Sequence, residues 1–203
     1  MILAIDTSTA ACTAALFDSA GACIARRDEH IGRGHAERLV PMISELLGGR
    51  TARRIVVGVG PGSFTGIRVG IAAAQGLAIG WDAELSGMPS LALLARGATG
   101  SAPVAAAMRG GHGELFVQQF DGLMLEPSTP LLNLSPGDAA ASISAALVVG
   151  PGAADLVEAR GWGEAVEAWP RACDALKLPP ELRTLAPRPV YARAPDARTR
   201  AAA

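Results

Sequence analysis

A carboxylate followed by three hydroxyl side chains, Asp6-Thr7-Ser8-Thr9, is the part of the sequence best suited to chemistry. It follows the apolar run Ile2–Ile5, which predicts a buried strand. At the end of such a strand, hydroxyls and backbone N–H groups can donate to a phosphate while the carboxylate binds its magnesium ion. The same residue types also form ordinary hairpin turns, since their side chains bond to the nearby backbone. The sequence therefore leaves two interpretations of residues 6–9 open, a weak or relic phosphate site and a turn.

The sequence lacks the residue spacing that a metal site or a catalytic nucleophile needs. His30 and His35 are five positions apart with glycines between them, whereas a metal pair on a helix needs two imidazoles one turn apart. Ser63 does not lie in a Gly-x-Ser-x-Gly turn, and no base is near it in the sequence. The cysteines, which show no Cys-x-x-Cys spacing, are Cys12, Cys23 and Cys173. We therefore expect no catalytic residue, no metal site and a reducing compartment.

The elements that must position these residues centre on a glycine-rich stretch, Gly60-Pro61-Gly62-Ser63-Phe64-Thr65-Gly66-Ile67-Arg68-Val69-Gly70. Ile55–Val59 before it predicts a short buried strand, and Ile67–Ile79 predicts a helix. Arg68 and Gln75 are the only polar side chains of that helix, so it needs cover on every side, yet it is too short to cross a membrane. Its small residues Gly66, Gly70, Ala74 and Ala78 form a ridge that a second helix can approach. A core helix and a partner-binding helix are both compatible with this pattern.

The glycine-rich stretch resembles the signature of the TsaB (YeaZ) family, bacterial proteins that take part in making threonylcarbamoyladenosine on tRNA. Further matches follow one another along the chain as Ile5-Asp6-Thr7-Ser8-Thr9, His35-Ala36-Glu37-Arg38-Leu39-Val40-Pro41-Met42, Gly113-Glu114-Leu115-Phe116 and Pro189-Val190-Tyr191-Ala192-Arg193. The resemblance is dense up to about Leu94 and thin beyond Pro103.

The resemblance implies a non-catalytic subunit of the tRNA threonylcarbamoyladenosine transferase complex. The paralogue TsaD would transfer the threonylcarbamoyl group to the adenosine next to the anticodon, and the ATPase TsaE would join the pair. This chain would hold TsaD in an active form, dimerise with itself when TsaD is absent, and meet tRNA through the complex. It would have no cofactor of its own, although ATP or ADP with magnesium could lie at the interface of the complex.

The partner surface is predicted on two helices, Ile67–Ile79 and an amphipathic helix around Leu39–Leu47, which would form a four-helix bundle with the partner. Its expected residues are His35, Leu39, Met42, Ile43, Gly66, Arg68, Gly70, Ala73, Ala74 and Leu77.

One segment departs from the family pattern. The sequence has Arg109-Gly110-Gly111 where family members often have Asp-Ala-Arg, and an arginine cannot replace a carboxylate that holds a metal. We therefore expect no nucleotide hydrolysis by this chain alone. Two other functions stay open at this point, an actin-like ATP-dependent small-molecule kinase and, with less support, a glycoprotease-like metallopeptidase.

The order of predicted elements indicates an α/β protein, and it resembles the two-lobed actin, Hsp70 and sugar-kinase superfold with mixed sheets and packed helices. We predict an N-terminal lobe over residues 1–97, a hinge around Gly97–Ala102, a smaller lobe over 103–193 and a disordered tail over 194–203. Residues 171–203 carry seven basic and three acidic side chains in a chain of 203 residues with net charge −1. The N-terminus lacks the basic region of a signal peptide, so we expect a cytoplasmic protein without a membrane segment.

Overall fold

The structure is a computed structural model that describes residues 1–98 and 100–192. Within these residues ten strands form two sheets of five. The predicted tail 194–203, Arg193 and Thr99 of the predicted hinge lie outside the described residues.

The first sheet has the order β3-β2-β1-β4-β5. Its strands are β1 (Ile2–Asp6), β2 (Ala11–Phe17), β3 (Cys23–His30), β4 (Arg54–Gly58) and β5 (Glu84–Met88). The first three strands pair antiparallel as a meander, and β4 and β5 are added parallel to β1. The sheet is mixed, as the sequence predicts.

The second sheet repeats this order as β8-β7-β6-β9-β10. Its strands are β6 (Val104–Arg109), β7 (Leu115–Phe120), β8 (Leu132–Leu134), β9 (Leu147–Val149) and β10 (Glu164–Val166). Again a three-strand antiparallel meander is extended by two parallel strands.

Helices follow equivalent strands in the two halves. They are α1 (His35–Leu47), α2 (Phe64–Trp81), α3 (Ser90–Gly97), α4 (Pro136–Ser142) and α5 (Ala153–Arg160). Helix α2 follows β4 through Gly60-Pro61-Gly62, and α5 follows β9 through Gly150-Pro151-Gly152. The same three residues, Gly-Pro-Gly, therefore occur at equivalent places in the two halves.

The described residues pack in layers. Helices α1 and α2 cover the outer face of the first sheet, and α4 and α5 cover the outer face of the second. Between the sheets, α3 and the 3₁₀ helix Ala172–Lys177 fill a shared core with Phe17 and Phe120. Burial of these apolar faces is the main source of stability in such an arrangement.

The helix predicted over Ile67–Ile79 was too short. Helix α2 begins at Phe64, where the Ser63 side chain accepts a hydrogen bond from the backbone N–H of Gly66, and it extends to Trp81. Strands β8 and β10 and helix α5 were not predicted.

Candidate functional site

Asp6 lies at the end of β1 with its carboxylate turned into the protein. Its side chain is fully buried. Oδ1 accepts from the backbone N–H and the hydroxyl of Ser8 at 2.9 and 2.7 Å, and Oδ2 accepts from the Ser90 hydroxyl at 2.6 Å. Burial raises the pKa of Asp6, although the serine hydrogen bonds oppose that shift. The carboxylate therefore joins β1 to the start of α3, and it does not suit a magnesium ion in a cleft.

The signature glycines make room for the loop that follows Asp6. The Thr7 hydroxyl donates to Gly66 O at 2.7 Å, and Ser63 N donates to Ser8 O at 2.7 Å. A Cβ on Gly66 would overlap Thr7 O, and one on Gly70 would overlap Thr7 Oγ1. Glycine at these positions allows the first turns of α2 to pack directly against the loop after β1, and this is a structural reason for the signature.

Most of the predicted partner-surface residues are buried within the chain. Those in the core are His35, Leu39, Met42, Ile43, Gly66, Gly70 and Ala74. The prediction of a free ridge is therefore wrong for Gly66, Gly70 and Ala74, because the two glycines pack against Thr7 in the loop after β1 and Ala74 is buried in the core on the first sheet. On α1, the apolar stripe that contains Leu39, Met42 and Ile43 covers the first sheet. His35, at the start of the same helix, has its Nε2 atom 3.3 Å from Ala11 O.

A different stripe of α2 faces outward. Of the predicted residues, Arg68 is exposed, and Ala73 and Leu77 are half-buried. The exposed stripe, named here the α2 stripe, consists of Arg68, Ala72, Gln75, Gly76 and Ile79. Ile79 is 85% exposed and Val40 on the neighbouring α1 is 51% exposed, although both are branched aliphatic residues. Apolar surface of this kind, next to a second helix, is typical of a protein interface.

The C-terminal segment 183–191, named here the strap, returns to the first sheet and to α2. Gly87 and Leu185 exchange two backbone hydrogen bonds of 2.7 and 3.1 Å, and Val190 N donates to Val59 O at 2.8 Å. The strap ends with Tyr191 beside α2.

Three exposed side chains meet at that point. Arg68 Nε donates to the Tyr191 hydroxyl at 3.0 Å, and the guanidinium carbon lies 3.7 Å from the centre of the Phe64 ring. The Phe64 and Tyr191 rings are 5.5 Å apart. Sequence reasoning missed this cluster because Tyr191 is 123 positions from Arg68.

A cleft of about 260 Å³ opens between the two halves. Its walls include Ser8, Thr9, Ser63, Arg109 and Trp169, whereas Asp6 and Thr7 do not line it. The Arg109 guanidinium binds both carboxylate oxygens of Asp155 on α5, at 2.6 and 3.2 Å. Arg109, which departs from the family pattern, thus forms an ion pair at the rim of the cleft.

The described residues offer little to metal or nucleophile chemistry. Among residues 1–98 and 100–192, no group of three His, Cys, Asp or Glu side chains is placed to hold a metal ion. Burial raises the pKa of the Cys12 thiol to about 11, and the Ser63 hydroxyl caps α2. No helix in this part of the chain is both long and apolar enough to span a membrane.

The sequence is similar to that of one protein family and to those of several known proteins. A sequence model of the family described as TsaD, tRNA N6-adenosine threonylcarbamoyltransferase, matches residues 28–196. The chain is 38% identical over 127 residues to the tRNA threonylcarbamoyladenosine biosynthesis protein TsaB of Escherichia coli, covering 59% of this chain and 54% of that protein. It is 40% identical over 102 residues to TsaB of Haemophilus influenzae, covering 48% and 42% respectively. The chain spans about half the length of the curated relatives it matches.

Solved structures agree over nearly the whole chain. YeaZ from Pseudomonas aeruginosa superposes with a TM-score of 0.78 at 30% identity, covering 94% of this chain and 98% of that chain. A second Pseudomonas aeruginosa structure, of an uncharacterized protein with similarity to peptidase YeaZ, has a TM-score of 0.78 at 31% identity and covers 95% and 99%.

Proposed function

The chain belongs to the TsaB (YeaZ) family, within the TsaD-type domain family, and from this premise we propose that it is a non-catalytic subunit for threonylcarbamoyl transfer to tRNA. Its partner is a TsaD-type protein, which carries out transfer to the adenosine next to the anticodon. TsaE joins the pair, and tRNA is met through the complex.

The observation that carries this proposal is the exposed, mostly apolar α2 stripe. Ile79 at 85% exposure and Ala72 have no packing role within the described chain, and water is a poor environment for such a face. We propose that the partner covers the α2 stripe with Val40 of α1, and that a second copy of the chain covers it when the partner is absent. Ala73 and Leu77 lie at its edge and complete the contact.

The geometry around Asp6 supports a subunit without its own reaction. Both carboxylate oxygens accept from Ser8 and Ser90, and the side chain does not line the cleft. Arg109 occupies the rim of the cleft as an ion pair with Asp155. Any ATP or ADP with magnesium is therefore proposed at the interface of the complex, without a ligand role for Asp6.

Reconstitution tests the proposal. The purified chain is combined with a TsaD-type protein, TsaE, threonylcarbamoyl adenylate and tRNA, and the modified adenosine is measured. We expect product from the full mixture and none from this chain alone. Product from the chain alone would contradict a non-catalytic role.

A matched pair of variants tests the surface. Ala72→Glu places an unpaired charge in the proposed contact, and we expect association with the TsaD-type protein to weaken by several kcal/mol. Ala141→Glu puts the same charge on an exposed position of α4 in the other half and serves as the control. Equal binding by the two variants, both folded by circular dichroism, would show that the partner lies elsewhere.

A further inference from the structure

Arg68 carries a charge that the described part of the chain leaves without an acidic partner. Within residues 1–98 and 100–192, its contacts are the Tyr191 hydroxyl and the Phe64 and Tyr191 rings. A guanidinium has five N–H donors, and the bond to Tyr191 uses the one on Nε. The four donors on Nη1 and Nη2 remain at the exposed end of the group.

The same contacts hold the guanidinium in place. The guanidinium carbon lies 3.7 Å from the centre of the Phe64 ring, and the 3.0 Å bond from Nε to the Tyr191 hydroxyl holds the group from a second side. Ordering a long side chain costs free energy on binding, so an arginine ordered beforehand binds with less loss. The two terminal nitrogens then present the flat fork that pairs with both oxygens of a carboxylate.

The surroundings favour an acidic side chain of a protein over a nucleic-acid phosphate. Along the α2 stripe, Arg68 is followed by Ala72, Gln75, Gly76 and Ile79, of which only Gln75 is polar and none is charged. Binding to nucleic acid relies on several basic residues acting together, whereas an apolar patch with one arginine is typical of protein interfaces.

We infer that Arg68 binds a carboxylate of the partner protein and that Tyr191 is the positioning residue that aims it. This inference rests on the proposed function. It also specifies the partner surface, because Arg68 and Ile79 are eleven residues apart, or about 16 Å along the helix. The partner presents an acidic side chain at one end of a contact and an apolar side chain about 16 Å away.

The experiment measures the dissociation constant for the purified TsaD-type protein at about 50 and about 300 mM salt, where screening differs strongly. Arg68→Met keeps an apolar stem beside Phe64 but removes the charge, and we expect it to weaken binding about tenfold or more at low salt and to flatten the salt dependence. Tyr191→Phe keeps the ring, and we expect a smaller loss, about threefold, with the salt dependence retained. Arg27→Gln, an exposed arginine on β3, is the control and should bind as wild type.

Each result separates the two proposals. If the wild-type chain does not bind the TsaD-type protein, the proposed function fails. If the wild type binds and Arg68→Met binds equally well with the same salt dependence, only the inference about Arg68 is overturned. If Arg68→Met weakens only the self-association of this chain, the carboxylate belongs to a second copy, and the inference is also overturned.

Discussion

Replacing two glycines of one helix should change the stability of the protein in opposite directions. Alanine is favoured over glycine in a helix interior by about 1 kcal/mol. Gly76 faces outward on α2, and a Cβ there would meet nothing within 4 Å. Gly76→Ala should therefore raise the free energy of unfolding by about 1 kcal/mol.

Gly70 is on the opposite face of the same helix. A Cβ there would overlap Thr7 Oγ1 and lie 3.6 Å from Val57 Cγ2. Thr7 cannot move aside without breaking its buried 2.7 Å hydrogen bond to Gly66 O, a loss of about 1–3 kcal/mol. Overpacking adds about 1–3 kcal/mol, so after subtraction of the helix gain Gly70→Ala should lower the free energy of unfolding by about 1–5 kcal/mol.

Urea unfolding followed by circular dichroism measures both changes. In heat unfolding, each kcal/mol should shift the midpoint by about 2–4 °C for a chain of this size. Adding Thr7→Ala to Gly70→Ala removes the overlapping atom, so the two substitutions should not be additive. If Gly70→Ala stabilises the protein as much as Gly76→Ala, then Gly70 does not pack on Thr7, and the signature glycines are not needed to make room for this loop.

Four further substitutions test burial and charge. Burial raises the pKa of Asp6 above its ordinary value of 3.8, so the folded state holds this proton more tightly than the unfolded state does. The free energy of unfolding of the wild type, relative to that of Asp6→Asn, should therefore be highest near pH 3.8 and fall as pH rises. Urea unfolding from about pH 4 to about pH 8 measures this difference, and a constant difference would contradict it. Leu39→Ala should cost about 2–5 kcal/mol of unfolding free energy, against less than about 1 for Val40→Ala, and equal losses would contradict the placement of α1. Arg109→Gln should change that free energy by less than about 1 kcal/mol, because Arg109 is exposed and its partner Asp155 is only half-buried, and a larger loss would contradict this placement.

The main elements of the first half were predictable because their patterns are strong. Strands β1 and β4 are apolar runs, and α1 has a regular amphipathic stripe. Strands β8 and β10 have three residues each, which is too short for alternation to be recognised. Their positions become evident only once the strand order of the first sheet is seen to recur in the second. In the sequence, the only hint of this recurrence that we found is Gly150-Pro151-Gly152, which matches Gly60-Pro61-Gly62.

The partner surface was predicted on the correct helices but largely on the wrong faces. The apolar stripe of α1 that suggested a contact, with Leu39 and Met42, is the stripe that covers the sheet. On α2 every face is apolar, so the pattern cannot say which face the chain itself buries. That choice depends on Thr7, more than fifty residues earlier, whose hydroxyl reaches Gly66 O.

The strap also has a consequence for the order of events during synthesis. Gly87 and Val59 belong to the first half, but their backbone partners Leu185 and Val190 come 98 and 131 residues later. At about 5–20 residues per second, a ribosome makes Tyr191 about 5–20 s after Gly87. During that interval the edge of β5 and the start of α2 lack their final contacts, and Arg68 has no hydroxyl to orient it. The nascent first half can fold its core early, but the end of α2 that we assign to the partner takes its final form only after residue 191 has been added.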